Sequence, residues 1–118
     1  MRLTEVTYGS AKAIEGYGPG FFRVAGHVLR GPCLITPWDA GPWGGFEDSA
    51  APLSPVDKID VLFVGTGSAI AHVPATFREA LEGQGIGVEV MSSPTAARTY
   101  NVLLGEGRRV AVALLPVD

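Results

Sequence analysis

Apolar positions change period in an ordered way along the second half of the chain. Asp60-Val61-Leu62-Phe63-Val64-Gly65-Thr66-Gly67 is short, apolar at successive positions and stopped by two glycines. That pattern predicts a strand buried on both faces at the centre of a parallel sheet. The period then becomes helical over Pro74–Glu82: Val73, Phe77, Ala80 and Leu81 share one face, with Arg78, Glu79 and Glu82 opposite. Gly83 and Gly85 stop this helix, and Ile86–Met91 reads as the next strand. Ser92-Ser93-Pro94 supplies an N-cap and a proline for the first turn of a second helix, whose Ala96, Tyr100, Leu103 and Leu104 share a face. Gly105 and Gly107 close it. Arg109–Leu115, with Val110, Val112 and Leu114 alternating against alanines, predicts a last strand ended by Pro116. Strand, helix, strand, helix, strand with short connections is a βαβαβ unit with three parallel strands.

The first half follows a different grammar. Residues 1–11 have no periodicity and predict a loosely ordered lead-in, followed by a short strand near Ala13-Ile14. Tyr17-Gly18-Pro19-Gly20 is turn chemistry, and Phe21–Leu29 and Cys33–Thr36 read as strands divided by Gly31-Pro32. From Pro37 to Pro55 so many prolines and glycines occur that no long element fits, although both tryptophans lie here. Two readings of Trp38, Trp43 and Phe46 stand: a lid on the core, which large aromatics in small domains favour, or an aromatic rim for a partner. The whole predicts one domain over residues 1–118. Its expected fold is a three-layer α/β arrangement, a mixed sheet with a C-terminal parallel βαβαβ unit and an N-terminal antiparallel meander.

Composition narrows the functional classes. The chain has 118 residues, 47% hydrophobic and 18% charged, and is too apolar for a disordered segment. Its low charge leaves apolar surface available for a protein partner. The formal charge is −3, and no basic cluster exceeds Arg108-Arg109, which argues against binding nucleic acid through phosphates. The lone Cys33 makes no internal disulfide and suits a reducing compartment. Neither a signal peptide nor an apolar run near the roughly 20 residues that span a bilayer is present, so a cytoplasmic location is expected.

In an open parallel sheet, ligands sit at the carboxyl ends of the strands. Here those ends are Gly65-Thr66-Gly67-Ser68 and Ser92-Ser93-Pro94-Thr95, the second entering a helix N-terminus that favours an anion. Gly65, Thr66, Gly67, Ser93, Arg98 and Asn101 together make a candidate site for a phosphate or carboxylate. The competing structural reading gives the glycines a turning role and Ser93 a capping role. Ile70 occupies the third glycine position of G-x-G-x-x-G, and no G-x-x-x-x-G-K-[ST] loop occurs, so neither nucleotide-binding device is present. His27 and His72 lie far apart without acidic ligands at metal spacing, and no cofactor or metal is expected. His72 near Ser68 or Thr66 lacks an orienting acid, Cys33 lacks a neighbouring cation, and no catalytic residue is assigned. Tyr100 reads as core.

Five segments in order carry a resemblance: Gly31–Pro37, Val61–Gly67, Gly85–Met91, Ala96–Leu103 and Gly107–Ala111. They are similar, from about Tyr17 onward, to a small family of uncharacterised α/β domains that includes the mitochondrial complex I (NADH dehydrogenase) assembly factor 3. The resemblance implies a three-layer fold around a mixed sheet and no recognised catalytic activity. It also implies protein partners, namely assembly factors or subunits of the respiratory complex. Ser93 stands where the family often has threonine; both cap helices. No mitochondrial presequence or extended C-terminal tail accompanies the segments, which fits a bacterial member.

Overall fold

A computed structural model describes residues 11–55 and 57–118. Nearly all of the lead-in expected over residues 1–11 lies outside the described residues. In chain order the strands are β1 (Ile14–Gly18), β2 (Phe21–Val24), β3 (His27–Arg30), β4 (Cys33–Ile35), β5 (Ala40–Pro42), β6 (Val61–Thr66), β7 (Gly87–Met91) and β8 (Val110–Leu115). The helices are α1 (Ala50–Leu53), α2 (Ala75–Glu82) and α3 (Ser93–Gly105), with a 3-10 turn at Gly45–Glu47.

β6, β7 and β8 are parallel, as the βαβαβ pattern requires, and β8 lies between β6 and β4 in a five-stranded sheet ordered β5-β4-β8-β6-β7. β4 runs antiparallel to β8 and β5 antiparallel to β4, so the sheet is mixed. The N-terminal segments divide their work: β1, β2 and β3 form their own antiparallel sheet, while β4 and β5 extend the large one.

Two cores lie on the two faces of the large sheet. On one, Phe63, Val110, Val112 and Leu114 meet Ala96, Ala97, Tyr100 and Leu104 of α3, with Phe22 and Val24 from the small sheet. On the other, Leu62, Val64, Ala111 and Ala113 meet Phe77 and Leu81 of α2, with Trp43. The alternation of β8 follows from this division. Alanines occupy the face where Trp43, Phe46 and Phe77 crowd together with ring centroids 5.4 to 5.7 Å apart, and larger residues fill the other.

One local expectation needs correction. Phe21–Leu29 is a hairpin rather than one strand, because Ala25 (φ 51°) and Gly26 (φ 78°) both adopt left-handed conformations and reverse the chain in two residues. Ala25 gives no glycine-like signal of such a turn, and the Glu15 carboxylate helps hold it by accepting the Gly26 N–H at 2.8 Å. In the breaker-rich stretch after Pro37 the elements are short: the strand β5 spans three residues, and its Pro42 is tolerated because β5 lies at the sheet edge.

Candidate functional site

The carboxyl ends of β6 and β7 do converge on one rim, and what they form is a hydrogen-bonded knot. The Ser93 hydroxyl, fully buried, donates to the Leu115 carbonyl at 2.6 Å and accepts the Gly67 N–H at 2.8 Å. The Ser93 N–H in turn donates to the Gly67 carbonyl at 2.8 Å. The end of β6, the start of α3 and the end of β8 are thereby tied at one point. Gly67 adopts a φ of 101°, which a side chain would resist. Gly65 is required for a different reason: a Cβ there would lie 2.7 Å from Ser93 Cα, Ser93 Oγ and Leu114 Cδ2.

Thr66 is committed in the same way. Its hydroxyl lies 2.9 Å from the Ala69 carbonyl and 3.3 Å from that of Met91, and accepts the Ala71 N–H at 2.8 Å. Ser68 Oγ accepts the Asp118 N–H at 2.9 Å. The helix cap also differs from expectation. Ser92, not Ser93, is the N-cap residue, and its hydroxyl donates to Thr95 Oγ1 at 3.1 Å rather than to a backbone N–H.

Arg98 and Asn101 lie farther along α3, apart from this knot, in a groove of about 450 Å³ between that helix and β1. Asn101 there holds the strand: Nδ2 donates to the Ile14 carbonyl at 2.7 Å and Oδ1 accepts the Ile14 N–H at 2.9 Å. Arg98 is exposed on the groove wall and has no ion pair among the described residues. The six candidate residues therefore divide into a structural set, Gly65, Thr66, Gly67 and Ser93, and a groove pair. Glu15, Gly16, Tyr17 and Val102 are among the other residues that line the groove, and they escape the sequence reading. Their juxtaposition depends on a contact between Ile14 and Asn101, 87 residues apart, which no local pattern encodes.

The aromatic candidates also separate. Trp43 is 4% exposed and donates its indole N–H to the Asp48 carbonyl at 2.9 Å, so it belongs to the core. Trp38 is 52% exposed, with Lys58 Nζ 5.4 Å from its ring centroid. Tyr100 is core, and its hydroxyl donates to the Lys12 carbonyl at 2.7 Å; burial raises its pKa. Burial likewise pushes the Cys33 thiol up to about 12, which fits an inert packing residue. His27 and His72 are both exposed. Among the described residues no group of three or more His, Cys, Asp or Glu side chains is arranged to hold a metal. No helix among the described residues is long and apolar enough to cross a membrane.

A mixed five-stranded sheet with α2 on one face, and α3 plus a small antiparallel sheet on the other, defines a three-layer α/β domain. A solved structure described as an outer membrane protein from Bartonella henselae shares it, with a TM-score of 0.83 and 36% identity over 92% of this chain and 98% of that one. The chain belongs to the family described as protein of unknown function DUF498/DUF598, which matches residues 14–115. An uncharacterised protein of Rhodobacter capsulatus is 50% identical over 117 residues, covering 99% of this chain and 94% of that one. NADH dehydrogenase [ubiquinone] 1 alpha subcomplex assembly factor 3 of Danio rerio is 34% identical over 110 residues. That match covers 87% of this chain and 63% of the assembly factor, so the chain spans less than two thirds of that relative's length.

Proposed function

We propose that this chain is a non-enzymatic protein-binding module that assists assembly of a membrane-associated respiratory complex, working from the cytoplasm by contact with other assembly factors or subunits. The observation that carries this is the similarity to assembly factor 3 along 87% of the chain. The distribution of polar and apolar groups supports it. Hydroxyls at the strand ends are engaged internally, whereas Tyr17, Trp38, Ile70 and Val102 are each about half exposed or more. A tagged chain expressed at native level and extracted gently from its host is expected to bring down respiratory-complex subunits or assembly factors. Recovery of no respiratory protein overturns the proposal.

A second reading has one observation in its favour, Arg98 beside the groove with no ion pair among the described residues. A small carboxylate or phosphate bound there at 100 times its Kd stabilises by about 2.7 kcal/mol. For a domain of this size that raises the thermal midpoint by roughly 10 °C. A screen of simple carboxylates and phosphates in which nothing shifts the midpoint, or in which Arg98→Ala leaves a hit unchanged, ends this alternative.

A further inference from the structure

We infer that the outer face of the small sheet docks a helix of a partner protein that carries two acidic side chains one turn apart, one for Arg23 and one for Arg30. The inference rests on the protein-binding role proposed above and names the chemistry that role recognises.

β2 and β3 put alternate residues on opposite faces. Phe22, Val24 and Leu29 turn toward the core, which leaves Phe21, Arg23, Val28 and Arg30 on the outer face. Phe21 stands opposite Arg30 and Arg23 opposite Val28, so the two arginines are diagonal neighbours, about 7–8 Å apart at the backbone. On the other side of Phe21, Gly18 offers no side chain, and a Cβ there would meet the ring at 2.5 Å. The ring therefore lies down over β1, and the Arg30 guanidinium carbon stands over it, 5.8 Å from the centroid.

A guanidinium held on an aromatic ring keeps the N–H donors at its rim free for a planar carboxylate. This chain supplies none: among the described residues neither Arg23 nor Arg30 has an ion pair. The neighbouring acid, Glu15, is turned to the Gly26 N–H at 2.8 Å. The chain as a whole is acidic, at −3, so a basic pair on one face is where an acidic partner is drawn rather than repelled.

The number and setting of the charges choose the partner. An anionic membrane or a nucleic acid is held by a wider basic field, about four to eight cations in the membrane case, and this pair is too small for either. Two guanidiniums match two carboxylates instead. β2 is paired on both sides, so its outer face offers side chains alone. A helix satisfies its own main chain and suits such a face. Acids four residues apart on it are separated by about 6 Å along the axis, close to the spacing of the arginines. Val28, 42% exposed, adds apolar contact beside them.

The test is an NMR titration of the ¹⁵N-labelled full chain, followed at the arginine Nε–H signals, with a capped alanine-rich helical peptide of about 16 residues that carries two glutamates four residues apart. Saturable shifts are expected at the side chains of Arg23 and Arg30 and the amides of Phe21 and Val28. The same peptide with glutamines in place of the glutamates should bind roughly tenfold more weakly. The double variant Arg23→Glu, Arg30→Glu, at two exposed positions, should lose the glutamate peptide and take up a lysine counterpart. No saturable shift, equal shifts with the glutamine peptide, or phosphatidylglycerol vesicles moving both arginine signals where the peptide does not, each overturns the inference. If respiratory proteins co-purify with the double variant as they do with the unaltered chain, this face is excluded while the assembly role stands; if none co-purify with the unaltered chain, the role itself fails.

Discussion

Gly65→Ala is expected to lower the thermal midpoint by roughly 12 °C, the largest effect of any single added methyl group in the strand-end knot. The new Cβ would sit 2.7 Å from Ser93 Cα, so a rotamer change cannot relieve the contact and the start of α3 must move away from β6. Overpacking of this kind costs about 1–3 kcal/mol. Displacing Ser93 also weakens its bonds to Gly67 and Leu115, each worth about 1 kcal/mol. A total near 3 kcal/mol corresponds to about 4 °C per kcal/mol in a domain of this length. Gly16→Ala is the control, since its Cβ meets nothing and the midpoint should stay within about 2 °C. Calorimetry on the two variants checks both, and a drop below about 3 °C for Gly65→Ala would show that the approach of α3 to β6 is not tight.

The two tryptophans should behave oppositely. Trp43→Ala removes a ring packed between Phe46 and Phe77 and leaves a cavity beneath α2, a change that costs about 3–5 kcal/mol. Trp38→Ala, at an exposed site, should change stability by less than about 0.5 kcal/mol. Urea unfolding followed by circular dichroism separates them. Equal losses would contradict the assignment of Trp43 to the core and Trp38 to the surface.

How far the sequence discloses this molecule depends on the range of the contacts involved. The βαβαβ unit is legible because each element carries its own period: the apolar run of β6, the helical face of Phe77 and Leu81, and the alternation of Val110, Val112 and Leu114. The hairpin at Ala25-Gly26 is not, since only the structure reveals a left-handed alanine. The candidate site shows the same limit. Parallel strands do bring Gly67 and Ser93 together, yet the sequence cannot say that the Ser93 hydroxyl is already held by Leu115, 22 residues away. Placing Arg98 with the loops followed from its position one turn into α3; the structure instead sets it opposite β1, through Asn101 and Ile14.

The place of β8 between β4 and β6 has a bearing on how the chain is made. It is the last of the described strands to leave the ribosome, and it alone joins the β4/β5 half of the large sheet to the β6/β7 half. Until it emerges, the growing polypeptide holds two unconnected strand pairs whose inner edges are open to mispairing. Completion of the sheet is therefore a late event, and a nascent chain stalled before Val110 should be a substrate for chaperones rather than a folded intermediate.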